Sequence, residues 1–156
     1  MLEPGSFRDP AGFVYTRDGV LYRQVNRAYE RDYARLMGSG LYDALVKDGL
    51  LVPHVEEAGL RNGDAAAILR PVRVPFVSYP YEWSFGQLKD AALVTLRAQR
   101  LALAHGMTLK DASAYNVQFR RGRPLLIDTL SFEPYREGRP WVAYRQFCQH
   151  FLAPLA

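Results

Sequence analysis

Two β-rich runs open the periodic part of the chain. Gly12–Thr16 and Val20–Val25 flank Arg17-Asp18-Gly19, and Asp-Gly tolerates the positive φ of a tight turn, which predicts a hairpin. Helical spacing follows: Tyr29, Tyr33, Leu36 and Met37 predict a helix to Met37 with Asn26 as its N-cap. After Gly38-Ser39-Gly40, Ser39 is placed to cap a second helix, Leu41 to about Asp48, that Gly49 ends. Leu50–Pro53 leads into a further extended segment, and Glu56–Asp64 is polar and reads as a loop. Ala67–Val74 is another strand, and its Pro71 suggests an edge or a bulge.

The pattern then changes. Pro75–Trp83 is aromatic, carries two prolines and matches neither period, so it reads as a joint whose aromatics either pack or hold a flat ligand. Ser84 and Gln87 form a capping box, with Trp83 poised to staple onto Leu88. A long helix runs from there to about His105, with Leu88, Ala92, Leu96 and Leu103 on its apolar face and Gly106 to stop it. Val117–Arg120 and Pro124–Ile127 form a second hairpin around Arg121-Gly122-Arg123. Glu133–Pro140 reads as a charged loop, and Pro140–Leu152 as an aromatic-faced helix stopped by Pro154. The apolar surface of that last helix has no predicted partner, which suggests a fragment or a minimal lobe.

Composition narrows the function classes. With 49% hydrophobic, 23% charged and 13% aromatic residues, the chain has the make-up of a folded protein. Arginines are scattered and no run of five or six basic residues occurs, so a nucleic-acid tail is not indicated despite the +4 net charge. Cys148 is the lone cysteine, His54, His105 and His150 lack zinc-ligand spacing, and no apolar run approaches a membrane span. Met1–Pro10 mixes charges and prolines instead of the apolar run of a secretory leader, so a cytoplasmic protein is expected. No phosphate-loop or dinucleotide fingerprint is present.

The candidate chemistry lies between Leu109 and Asp128. Asp111, Asn116 five residues on, and Asp128 after the second hairpin supply a carboxylate to orient an attacking hydroxyl and hard oxygens for magnesium. Nine Asp and three Asn produce a D-x-x-x-x-N by chance about 0.2 times in such a chain, so the context of helix and hairpin carries the signal. Equally, Asp111 and Asn116 are residue types that turn their own loop backbone. Arg23, between Leu21 and Val25 on one strand face, either pairs with a carboxylate or phosphate or snorkels from the sheet edge.

These residues resemble the protein-kinase-like superfamily, including its aminoglycoside and lipopolysaccharide phosphotransferase branches. The resemblance covers roughly residues 12–133. It implies an α+β, protein-kinase-like fold: a small antiparallel-sheet lobe with a helix pair (1–77), a hinge (78–84), and the start of a mainly helical second lobe with a catalytic-loop hairpin (85–156). It implies ATP and Mg as cofactors and a small-molecule or glycan hydroxyl as acceptor. Asp111, with Lys110 beside it, stands at the catalytic position, and Asn116 and Asp128 stand at the metal ligands. Arg23, Glu30, Tyr81 and Glu82 stand at cofactor-binding positions. Departures are plain: Leu109-Lys110 replaces His-Arg or His-Gly, Thr129-Leu130 replaces Phe-Gly, Arg23 stands where a strand Lys is expected, and a glycine-rich loop is missing.

A second resemblance is more literal. Ser78–Phe85, Leu88–Leu93 and Lys110–Asn116 are similar to the N-terminal part of bacterial class I SAM-dependent methyltransferases, some called nodulation proteins. It implies an accessory, pseudokinase-like module whose methyltransferase domain lies outside this chain.

Overall fold

In a computed structural model, residues 9–60 and 63–156 are described. They divide into two units, residues 9–35 with Pro53–Arg73, and Leu36–Val52 with Val74–Ala156. Residues 1–8, within the stretch read above as lacking a leader, lie outside the described residues, as do 61 and 62 of the polar loop. Together the described residues make an α+β protein, with a small antiparallel sheet and several helices.

The first unit is built on four antiparallel strands in the order β1-β2-β4-β3. Strands β1 (Gly12–Arg17) and β2 (Val20–Asn26) pair to the end, Arg17 opposite Val20, across Asp18 and Gly19 at φ 52° and 76°. Two positive φ values define the turn that matches strand twist, which is why Asp-Gly nucleates this hairpin. Strand β4 (Ala65–Pro71) lies between β2 and β3 (His54–Glu56), so it is an inner strand and not the edge its proline suggested. Pro71 is tolerated because it ends β4, beyond the last β2 partner at Leu69; the bulge falls at Val25/Asn26 instead. Val25, Tyr29, Ile68 and Leu69 are buried.

Asn26 does not cap a helix. Its carboxamide accepts from Gln24 Nε2 (2.9 Å) and donates to the Pro10 carbonyl (3.1 Å), and a 3-10 turn, Arg27–Tyr29, leads into α1 (Glu30–Gly38). Arg23 meets a carboxylate, Asp9, with Nη2 3.5 Å from Oδ2. Tyr33 Oη lies 3.3 Å from His54 Nε2 and donates to Glu56 Oε2 at 3.4 Å. Burial holds the His54 imidazole down at about pKa 4 against its usual 6.5, with the Glu56 carboxylate pulling the other way.

In the second unit, the N-cap of α2 (Leu41–Lys47) is Gly40, at φ 78°, and not Ser39, whose hydroxyl accepts from the Leu41 N–H one residue further in (3.3 Å). The helix ends as expected at Gly49, φ 68°: Gly49 N–H bonds Val46 and Leu50 N–H bonds Leu45, the paired bonds of a Schellman cap. Helix α3 (Phe85–Ala104) carries the capping box intact, Gln87 N–H to Ser84 Oγ at 3.3 Å and Ser84 N–H to Gln87 Oε1 at 2.9 Å. Of its predicted apolar face, Ala92 is buried and Leu88 packs against the core, but Leu96 and Leu103 are exposed, and Ala91, Val94, Thr95, Ala98 and Ala102 are inside in their place. Small side chains at that spacing let neighbours approach the helix closely. Trp83 meets Phe119 edge-on (5.2 Å) and donates to Ser78 Oγ (2.9 Å).

Two short ladders complete this unit. Strand β5 (Met107–Leu109) pairs with β8 (Phe132–Pro134), so part of the stretch read as a charged loop is extended backbone. Strands β6 (Val117–Arg120) and β7 (Arg123–Leu126) form the second hairpin, and Leu126 exchanges backbone bonds with Leu50 and Val52 (2.8 Å each). The last helix starts later and ends later than its sequence suggests. Helix α4 (Tyr144–Phe147) widens into a π-helical Cys148–Leu152 segment and resumes as α5 (Ala153–Leu155). Pro154 does not stop it, because the ladder changes register there, with Ala153 N–H reaching back to Cys148. Its aromatic face divides: Phe147 and Phe151 enter the core with Leu45, Met107, Leu109 and Phe132, whereas Tyr144 is exposed.

Two measurements check these points. Arg121 sits at φ 52° before Gly122 at φ 74°, a conformation asparagine accepts better, so Arg121→Asn should stabilise the protein by ~0.5–1 kcal/mol in chemical unfolding. For His54, the folded state prefers the neutral ring while the unfolded chain protonates near 6.5. Stability is therefore complete above pH 6.5 and falls as pH drops toward 4. The ceiling is about 3 kcal/mol, reduced to ~1–2 kcal/mol by partial solvent screening. His54→Gln should flatten the wild-type pH profile by that amount over this window.

Candidate functional site

The segment from Leu109 to Asn116 leaves strand β5 and reaches β6 without a regular ladder of its own, so its backbone N–H groups need other acceptors. Side chains supply most of them. Gln99 Oε1, buried on α3, accepts from Leu109 N–H (2.8 Å), and Gln99 Nε2 is held by Thr108 Oγ1 (2.9 Å). Gln146 Oε1 accepts from Ala112 N–H (2.6 Å), and His150 Nδ1 from Ala114 N–H (3.1 Å). Gln146 and His150 stand four apart on the last helix, so a single helical face supplies both acceptors. The Ala114 N–H can only donate, so Nδ1 is bare in this arrangement and the ring proton sits on Nε2. Ser113 Oγ lies 3.3 Å from the same Nδ1 and accepts from Tyr115 N–H at 3.2 Å.

The predicted acidic residues are part of this internal bonding. Asp111 Oδ1 accepts from Ser113 N–H (2.9 Å), an Asx turn. Asp128 Oδ1 accepts from Leu130 N–H (3.0 Å) and Oδ2 from Ser131 Oγ (2.9 Å). Asn116 Nδ2 donates to the same Ser131 Oγ at 3.3 Å, and Ile127 N–H bonds the Asn116 carbonyl at 2.8 Å. The hairpin thus brings Asn116 and Asp128 onto one buried hydroxyl. Asp111 shares no direct bond with either, and its Oδ1 is engaged within its own loop.

The other predicted positions have local partners. Lys110 is half-buried, and its N–H bonds the Ser131 carbonyl (2.8 Å). Tyr81 is exposed and stacks on Tyr79 at 5.5 Å with planes 4° apart, and Glu82 Oε2 accepts from Tyr79 N–H (2.7 Å). Arg23 and Glu30 belong to the first unit, where Arg23 pairs with Asp9 and Glu30 is exposed at the start of α1.

Asn116 Oδ1 and the Asp128 carboxylate are hard oxygens of the kind magnesium takes, but one carboxylate and one amide complete its shell only with phosphate or water oxygens added. Among the described residues, no group of three or more His, Cys, Asp or Glu side chains is arranged for a metal.

Sequence reasoning missed Ser131, Gln146 and His150. Ser131 had a signal, since Asp and Ser three apart is the spacing of a local side-chain turn. Gln146 and His150 had none beyond their four-residue spacing, because their acceptor role depends on a segment more than thirty residues away. Replacing both with alanine leaves two N–H groups without acceptors, at ~1–2 kcal/mol each. Gln146→Ala/His150→Ala should therefore lower the melting temperature and speed hydrogen exchange at the Ala112 and Ala114 amides at least tenfold, with exchange in the β1–β2 hairpin unchanged.

No helix among the described residues is long and apolar enough to cross a membrane. No protein-family model matches the sequence. Over 155 residues, 97% of this chain, the sequence is 41% identical to the nodulation protein NoeA of Rhizobium meliloti (strain 1021). The chain spans 32% of that protein's own length. The likeness to nodulation proteins read from Ser78–Phe85, Leu88–Leu93 and Lys110–Asn116 is thus shared with a protein of that description, over one part of its length.

Proposed function

We propose that this chain is a kinase-like module that does not transfer phosphate and that serves a longer protein carrying a SAM-dependent methyltransferase domain. The observation that carries this reading is the inward bonding of the would-be catalytic set. Asp111 holds Ser113 N–H, and Asp128 holds Leu130 N–H and Ser131 Oγ. Arg23, at the position of the phosphate-binding lysine, pairs with Asp9, and the β1–β2 turn is the two-residue Asp18-Gly19 instead of a glycine-rich cradle. Support for a longer protein is the match to a third of NoeA. In this role the module positions the methyltransferase or its substrate.

A second reading, an active ATP-Mg phosphotransferase acting on a small-molecule or glycan hydroxyl, draws on the meeting of Asn116 and Asp128 at Ser131 Oγ. In that case Asp111 orients the acceptor hydroxyl, and Asn116 Oδ1 and Asp128 hold the cation.

One pair of experiments separates them. With ATP and magnesium, thermal melting of the chain should not shift, and the longer protein should lose methyl transfer when residues 1–156 are deleted. Normal methylation by the deleted form would sink the module reading. A magnesium-dependent shift in the wild type that Asp128→Asn abolishes would replace it with the second.

A further inference from the structure

Helix α3 has an outer face that its packing leaves uncovered. On the inner side Ala91, Ala98 and Ala102 are fully buried. On the outer side Leu93, Leu96 and Leu103 are 51%, 41% and 44% exposed, and Arg97, Arg100 and Ala104 are exposed with them. Leu93, Leu96, Arg100 and Leu103 follow the alternating three- and four-residue spacing of a seam along which helices pack side by side. The seam is about 15 Å long at 1.5 Å per residue. Because the inner face is fixed in the core, a partner meets a surface that is already ordered. Leu103 carries the seam into an open groove of about 600 Å³, where Val142 adds exposed apolar surface. Around that groove Glu133 and Glu137 offset Arg136 and Arg139, so the charge of this surface is decided on the helix.

There it is one-sided. Lys89 is followed by Asp90, but Arg97 and Arg100 have no carboxylate three or four residues away in either direction. They stand three apart, which makes them neighbours on the helix surface. Among the described residues neither has an ion pair.

These two charges select among occupants. A second copy packed parallel on this seam sets Arg100 against Arg100. Packed antiparallel, it gathers Arg97 and Arg100 of both copies at the centre, so like charges meet in either direction. A lipid surface takes an apolar stripe with aromatic anchors, whereas Arg100 interrupts the seam and no aromatic residue occurs from Lys89 to Ala104. A helix with an apolar seam and acidic flanks satisfies both the leucines and the arginines.

We propose that the outer face of α3 docks an acidic amphipathic helix of a partner protein. The partner's apolar seam lies on Leu93, Leu96 and Leu103, and its Glu or Asp side chains meet Arg97 and Arg100. The surface shares no residue with the Asp111–Asn116 loop, so it stands whichever reading of that loop holds.

The test is NMR titration of the whole chain with synthetic helical peptides that carry leucines at seam spacing. One is flanked by glutamates, one by lysines, and a third is the glutamate peptide with glutamine in place of its leucines. The leucine–glutamate peptide should saturate and shift the amides of Leu93 to Leu103, and the other two should bind at least tenfold more weakly. Leu93→Gln/Leu96→Gln should weaken the first peptide at least tenfold. Arg97→Glu/Arg100→Glu should invert the preference, so that the lysine peptide binds tighter, a result that loss of folding cannot produce. The proposal is overturned if the leucine–glutamate peptide does not saturate, if either control peptide binds as well, if the leucine variant binds like the wild type, or if the charge-reversed variant keeps the original preference. It is also overturned if Leu93→Gln/Leu96→Gln abolishes self-association in sedimentation, or binding to phosphatidylglycerol vesicles, that the wild type shows.

Discussion

A loop without a ladder must find an acceptor for each buried N–H, and the second unit is organised around meeting that demand between Leu109 and Asn116. The acceptors come from α3 (Gln99), from the strand approach (Ser131 carbonyl), from the last helix (Gln146, His150) and from the loop itself (Asp111, Ser113). An unmet donor there costs about as much as several surface ion pairs contribute. Elements far apart in sequence are therefore tied to one short segment. The π-helical widening of the last helix begins between Gln146 and His150, so the same helix that fills the core with Phe147 and Phe151 also presents both acceptors.

That bonding also shapes the functional reading. Asp111 and Asp128 each accept from residues that follow them in the chain. The loop is held by side chains of α3 and of the last helix, and such support serves a binding role as well as catalysis.

Much of the local structure was legible in the residues. Asp18-Gly19 and Gly122 sit in hairpin turns, Gly49 and Gly106 end helices, and Ser84 with Gln87 caps α3, because each depends only on neighbours in sequence. Errors arose where packing decided. On α3 the expected Ala92 is buried and Leu88 packs on the core, but close approach selects small side chains elsewhere on that face and leaves Leu96 and Leu103 outside. Pro71 suggested an edge, but a strand can be interior and still end in proline where its partner has already finished. Asn26 has the chemistry of a cap and uses it on Pro10 and Gln24 instead.

For the site the division is similar. The sequence by itself determined that Asp111, Asn116 and Asp128 flank a hairpin, that the hairpin returns Asp128 toward Asn116, and that no glycine-rich phosphate loop precedes them. Spacing and turn chemistry are local and suffice for that. Only the tertiary structure decided what those side chains face. Ser131 joins Asn116 to Asp128, Asp111 turns back on its own loop, and Gln146 and His150 arrive from the far end of the chain. A hydrogen bond's partner is set by where the backbone travels, and over more than thirty residues no local pattern encodes that path.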